Sequence, residues 1–387
     1  MFRRLLKLAL AAGVLLFFGF VALVVYVVCQ QVRYKHLADT HALKGQVEAM
    51  GTEYVSKRPN AALVIGVLQR GNRYIEGFGQ INSANATPPN GQTLFEIGSV
   101  TKVFTALTLA KMANDGVVEL DDPISRLLPE GVACPQKNGR QITPRHLATH
   151  TAGLPRLPDN FDATVKDGQN PYATYKAADL YQSLQTVRLA SEPGKESAYS
   201  NYGFGLLGHL LELKAGKPYQ ELVKQTVCAP LAMSNTVIDL SSEQKTRLTP
   251  GHDPKGAQVA NWVFDVLGGC GAFYSDAEDL LKFIEANLNP PASVLSNALA
   301  EAQKFHFKEF SGGVGLGWQI QEPLEGQILQ HWHNGGTGGY VSFVGFDKAA
   351  QVGVVILSNY GDAAAGDTSV DRMGMQILKY APKISWE

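Results

Sequence analysis

The 387 residues are 45% hydrophobic and 18% charged, the composition of a folded globular protein rather than a disordered one. A chain of that length can bury one large core or two ordinary ones. The formal net charge of −1 gives no electrostatic case for nucleic acid or another polyanion as partner.

The N-terminus stands apart from the rest. Residues 1–7 are basic through Arg3, Arg4 and Lys7, and residues 8–29 carry no charged side chain. As a helix that run is long enough for the roughly 30 Å of hydrocarbon in a bilayer. A signal peptide is the alternative, but its apolar region is normally about 7–15 residues and ends in small residues near a cleavage site. This run ends in Val24-Val25-Tyr26-Val27-Val28-Cys29. Residues 1–30 are therefore read as a membrane-anchoring helix, with the basic flank cytoplasmic and the rest of the chain outside. Residues 31–50, polar and helical in texture, read as a linker, and residues 51–387 as the working domain.

Strand texture begins at Ala61. Two apolar stretches flank a turn at Arg70-Gly71-Asn72, the pattern of a β-hairpin. Between about 96 and 300 the chain is mostly helical with Pro- and Gly-rich loops. Helices are predicted over 100–114, 177–185, 202–215, 219–227 and 276–287, the first stopped by Asp115-Gly116. Strands return at 315–321, 327–333, 340–347 and 351–359, and a helix over 368–380 follows. Strands at both ends with helices between them predict an α/β (α+β) fold. Its antiparallel sheet is built from both chain ends and flanked by helices, with a mostly helical region inserted. Cys29, Cys134, Cys228 and Cys270 lack CxxC spacing, so no metal site is implied. In an oxidising compartment two of Cys134, Cys228 and Cys270 can pair; three separately buried thiols are the equal alternative.

Three segments carry candidate chemistry. Ser99-Val100-Thr101-Lys102 is an S-x-x-K, a weak signal by spacing alone, since Ser242-Glu243-Gln244-Lys245 matches it too. Context separates them. Ser242 opens a polar stretch and reads as a surface helix cap, whereas Ser99 begins a strongly apolar helix. On that helix, positions i and i+3 share a face, and the N-terminus favours negative charge developing at Ser99. Tyr199-Ser200-Asn201 sits in a loop before another apolar helix, where a tyrosine can relay protons if nearby cations assist it. His333-Asn334-Gly335-Gly336-Thr337-Gly338-Gly339-Tyr340 lies between two strands, and glycines there let a substrate approach backbone N–H donors of the oxyanion-hole kind. No G-K-[ST] follows, which removes the phosphate-loop reading. His146 and His150 invite a Ser-His-Asp reading. No G-x-S-x-G elbow surrounds a serine, however, and both are read as structural.

In the order S-x-x-K, Y-x-N, H-x-G the chain resembles the serine β-lactamase and penicillin-binding protein superfamily, in its class C β-lactamase and DD-peptidase branch. The resemblance spans roughly residues 50–380. It includes Phe95-Glu96-Ile97-Gly98-Ser99, Leu120-Asp121-Asp122-Pro123 and His146-Leu147-Ala148-Thr149-His150-Thr151-Ala152-Gly153-Leu154. It implies that Ser99 attacks a carbonyl and forms an acyl-enzyme, with Lys102 and Tyr199 sharing general-base and general-acid duty. Asn201 would orient the substrate side chain, His333, Gly335 and Gly336 would bind substrate, and the N–H groups of Ser99 and Gly336 would form the oxyanion hole. His333 stands where many members carry a permanently charged Lys; an ordinary histidine is mostly neutral at pH 7. The implied activity is that of a serine hydrolase of amide, lactam or ester bonds, of the β-lactamase or D-alanyl-D-alanine peptidase type. A slow-turnover penicillin-binding sensor or an esterase is the alternative. The partners are a β-lactam, D-amino-acid peptide or ester and, through the N-terminal helix, the membrane. Neither a cofactor nor nucleic acid is implied, and the catalytic domain is expected to be periplasmic or otherwise extracytoplasmic.

Overall fold

The structure, a computed structural model, describes residues 28, 32–39, 41–82, 86–292, 294–322, 329–361 and 369–387. Its centre is an eight-stranded sheet, antiparallel throughout. The strands are β1 (Ala62–Gln69), β2 (Asn72–Gly79), β3 (Phe307–Glu309), β4 (Gly312–Val314), β5 (Gln319–Gln321), β6 (Gln330–Gly336), β7 (Val341–Asp347) and β8 (Val352–Ser358). They lie in the order β2-β1-β8-β7-β6-β5-β4-β3. The N-terminal hairpin therefore pairs with the last strand, Val64 opposite Leu357 and Ile65 opposite Ile356, and the sheet is assembled from both chain ends as the sequence predicts.

Period-2 alternation sends the side chains of each central strand into two separate cores. Ala62, Val64, Val344, Phe346, Val355 and Leu357 enter the larger core. There they meet the helices α2 (Thr101–Asn114), α3 (Asn201–Ala215) and α4 (Ala277–Leu288). Leu63, Ile65, Val67, Val341, Phe343, Val354 and Ile356 enter the second core, under α1 (Leu43–Ser56) and α5 (Val370–Tyr380). Both faces of β1, β7 and β8 are covered, so these strands read as continuous apolar runs rather than alternating ones.

The predicted boundaries shift where glycine or tertiary contact intervenes. The strand predicted over 327–333 runs on through Gly336; Asn334-Gly335-Gly336 carries no β-branched or aromatic signal. The stretch 315–321 is a turn leading into β5, and 219–227 is helical only over Tyr219–Val223 before widening into a π-turn at Lys224–Cys228. Ser242 is not the cap of its helix: Ser241 is, its hydroxyl accepting from the Gln244 N–H. Cys134, Cys228 and Cys270 are free thiols, which decides between the two cysteine readings.

Residues 31–50 need a larger correction. α1 docks Leu43, Val47, Met50 and Tyr54 onto the sheet, all nearly sealed from solvent, and Tyr34 is buried with them. The Tyr54 hydroxyl bonds to Ser358 Oγ at 2.8 Å. Spacings of four, three and four residues put those side chains on one helix face, so this part of the supposed linker belongs to the second core. The anchor assigned to residues 1–30 lies, apart from residue 28, outside the described residues. No described helix is long and apolar enough to cross a membrane.

Met50→Ala removes buried side-chain volume and should cost about 2–5 kcal/mol. That loss would appear as a lower thermal unfolding midpoint of the full chain. An unchanged midpoint would mean that α1 is not docked.

Candidate active site

Ser99 lies in a 3-10 turn, Gly98–Val100, that feeds directly into α2. Three contacts fix that turn. The short strand Phe95–Glu96 pairs with Tyr274–Ser275, the Ile97 N–H donates to Phe273 O at 3.0 Å, and Ser342 Oγ donates to Ile97 O at 2.8 Å. Gly98 has φ +48°, and a Cβ there would stand 2.7 Å from the Gly336 nitrogen. Only glycine meets both constraints cheaply. The backbone of β6 therefore touches the nucleophile turn directly. A Cβ at Gly335 would lie 2.0 Å from Ile97 O, so that glycine serves the same close approach.

Lys102 is on the first turn of α2 and has no solvent exposure. Its Nζ lies 2.9 Å from Ser99 Oγ, 2.9 Å from Asn201 Oδ1 and 2.7 Å from Cys270 O. Nζ is thus ringed by three oxygen acceptors. The neighbouring threonines zip the same helix to the same segment. Thr101 Oγ1 accepts from the Phe273 N–H at 3.1 Å, and Thr105 Oγ1 donates to Gly269 O at 2.7 Å.

Tyr199 reaches the site from the loop before α3. The cap of that helix is Ser200, whose Oγ accepts from the Gly203 N–H; the Asn201 side chain is thus left to meet Lys102 and to donate to the Tyr172 hydroxyl at 2.9 Å. The Tyr199 ring centroid lies 4.9 Å from Lys102 Nζ, 4.4 Å from the His150 ring and 6.3 Å from the His333 ring. Ser99 and Tyr199 are half-buried while Lys102 and His333 are sealed, so the two groups expected to touch substrate are the accessible ones.

His333 is neutral here. Burial pushes its pKa down to about 3, the neighbouring Lys102 charge adds to the shift, and the Asn334 carbonyl opposes it. Its Nδ1 lies 2.6 Å from Asn334 O, and a carbonyl only accepts, so the ring proton sits on Nδ1. Nε2 is then a lone pair, buried and unpartnered among the described residues. His150 is the opposite tautomer: its Nδ1 accepts from the Ser200 N–H at 3.0 Å. Burial, then the charges of Lys102 and Arg156, hold its pKa well below the ordinary value.

The structure brings together Ser99, Lys102, Tyr199, Asn201, His333, Gly335 and Gly336. His146 and His150, read as structural, build the frame. His146 Nδ1 accepts from the Thr143 N–H at 3.1 Å in a capping box, and His150 backs Tyr199. Sequence reading missed Tyr172, Arg156 and the Cys270 carbonyl. The aromatic wall of Tyr172, Trp262 and Phe264, the last two with centroids 5.4 and 4.5 Å from Tyr172, had a signal in Trp262-Val263-Phe264; a backbone carbonyl has none.

This is the architecture of a serine hydrolase, and the comparisons place it in a family. The Beta-lactamase family model matches residues 48–374, and the chain belongs to that family. It is 29% identical over 320 residues to the D-alanyl-D-alanine-carboxypeptidase/endopeptidase AmpH of Escherichia coli K12, covering 79% of this chain and 80% of that one. It is 28% identical to a β-lactamase of Pseudomonas fluorescens, covering 77% and 88%. A solved β-lactamase/D-alanine carboxypeptidase from Yersinia pestis, complexed with citrate, superposes with a TM-score of 0.72 at 25% identity over 87% of this chain and 98% of that one. A class C β-lactamase from Rhodobacter sphaeroides shares the fold, with TM-score 0.74 at 21% identity over 86% and 98%. The chain is a serine hydrolase of that family.

Because His333 binds its second proton far more weakly folded than unfolded (near 6.5), the unfolded chain takes up the extra proton as pH falls. The stability tied to His333 is therefore present above pH 6.5 and lost between there and about 3. Thermal scans should show the wild type losing midpoint more steeply than His333→Gln across that window. Nitrogen-15 NMR should show one neutral Nδ1–H imidazole at His333 from pH 5 to 8; a protonation step inside that range would contradict the assignment.

Proposed function

We propose that the protein hydrolyses amide, lactam or ester bonds through an acyl-enzyme on Ser99, as a β-lactamase or D-alanyl-D-alanine peptidase type of enzyme. The observation that carries this reading is the 2.9 Å contact between Lys102 Nζ and Ser99 Oγ, with Tyr199 packed against the same Nζ. Ser99 Oγ bonds to the substrate carbonyl carbon while its proton passes to the Lys102–Tyr199 pair. The oxyanion is met by the N–H groups of Ser99 and Gly336; the close approach of Gly98, the residue before Ser99, to the Gly336 backbone supports this. The tetrahedral adduct collapses, the carbon–nitrogen or carbon–oxygen bond breaks, and the pair returns the proton to the leaving group. Water then adds to the acyl carbon and gives its proton to the same pair; the bond from that carbon to Ser99 Oγ breaks, and the pair returns the proton to Oγ. Asn201, held by Lys102 and Tyr172, is placed to orient the acyl side chain.

Relatives named as D-alanyl-D-alanine carboxypeptidase and as β-lactamase support D-amino-acid peptides and β-lactams as substrate classes. The neutral His333 favours a second reading on one point. Without a cation at that position, β-lactams would acylate faster than they are released, and the protein would then act as a penicillin-binding sensor or an esterase. The catalytic domain, with α1 docked on its sheet, would be extracytoplasmic and tethered by residues 1–30.

Turnover of a chromogenic lactam, a D-Ala-D-Ala peptide and a short-chain ester tests these readings together. Ser99→Ala and Lys102→Met should each lower kcat/KM by at least about a thousandfold on whichever substrate is used, and Ser242→Ala should leave it unchanged. Full activity in Ser99→Ala would refute the mechanism.

A further inference from the structure

Tyr199 has a second basic neighbour besides Lys102. Arg156 comes from an earlier loop, between the short helices Pro144–Ala148 and Phe161–Thr164, with its Cζ 5.2 Å from the Tyr199 ring centroid. The backbone at its root is fixed. Pro155 O accepts from Ser200 Oγ at 2.7 Å, and Arg156 O accepts from the Asn201 and Tyr202 N–H groups at 2.9 and 3.1 Å. The side chain itself is exposed and makes no ion pair among the described residues. Arg126, Arg140, Arg145 and Arg247 each face a carboxylate. A guanidinium rooted this firmly at the site mouth, with its donors unspent, is suited to an incoming anion.

The other basic groups of the site cannot take that role. Lys102 Nζ is sealed and committed to three acceptors. The one N–H of His333 is tied to Asn334 O, and its free Nε2 is a lone pair that would repel a carboxylate. A substrate acid entering beside Tyr199 therefore meets Arg156. The side of approach follows from its neighbours. Arg156 O accepts from the Asn201 N–H, so the guanidinium is rooted beside the residue whose amide, held by Tyr172, is proposed to orient the acyl half.

We propose that Arg156 binds a carboxylate carried on the acyl half of the substrate, so that the preferred substrates are peptides, amides or esters whose acyl residue is itself acidic. This rests on the Ser99 acyl-enzyme reading. The guanidinium fork receives the two carboxylate oxygens while Asn201 orients the acyl side chain that carries them, and selection acts on binding rather than on bond cleavage.

The test uses three esters on the full chain: 4-nitrophenyl butyrate, the mono-4-nitrophenyl ester of glutaric acid, and 3-carboxyphenyl butyrate. The first is neutral, the second carries its acid on the acyl half and the third on the leaving half. Arg156→Gln should lower the preference for the glutarate ester over the neutral ester about tenfold, through KM rather than kcat, and Arg156→Lys should restore part of it. A fall confined to 3-carboxyphenyl butyrate would overturn the acyl-side assignment. An equal fall on all three would make Arg156 a support for Tyr199, and an unchanged preference would remove it from recognition; either result overturns the proposal. Ser99→Ala separates the two claims: full activity in that variant would sink the acyl-enzyme reading on which this one stands.

Discussion

A lysine side chain sealed from solvent has to find acceptors for the N–H groups on its Nζ, because an unpaired buried donor costs several kcal/mol. Lys102 meets that demand with the hydroxyl one turn earlier and two groups from distant parts of the chain, the Asn201 side chain at the head of α3 and the Cys270 carbonyl. Each partner can be in place only if α2, α3 and the 268–275 segment are already packed. The threonines flanking Lys102 stitch α2 to that segment, and the larger core forms beneath them. Folding of the helical region and assembly of the site are one event.

The other half of the site arrives on a strand. β6 is central in the sheet, with β7 on one side and β5 on the other, so its position is set by the two cores and not by the site. Its end is brought against the Ser99 turn by the absence of side chains at Gly98 and Gly335. Alternation along β6 then divides the labour. His333 turns into the site, whereas Asn334 turns toward α5 and donates to Asp371 Oδ2 at 2.7 Å. A buried, neutral histidine at this position leaves positive charge at the mouth to a residue from another loop.

Much of this was legible before any coordinates. Strand texture at both ends, helices between, and the apolar run after Ser99 were enough to predict the sheet and to separate Ser99 from Ser242. What escaped the sequence has physical reasons. The end of β6 is glycine, which carries no strand propensity. α1 looked polar because its exposed face is polar, although the stripe Leu43, Val47, Met50 and Tyr54 was there to be counted. The burial of His333 depends on what covers β6, and sequence supplied only the ordinary neutral-pH expectation. Arg156 and Tyr172 sit in loops whose placement is decided by contacts with α3, and the Cys270 carbonyl is a backbone group with no signature at all.

The central claim is that Ser99 is the atom that becomes acylated, and that Lys102 makes it so. The most direct measurement is to label the full chain with a fluorescent penicillin, digest it, and locate the adduct by mass spectrometry, with Lys102→Met labelled alongside. The account predicts a single adduct on Ser99, formed far more slowly in Lys102→Met. An adduct on any other residue, or labelling of Lys102→Met at the wild-type rate, would contradict it.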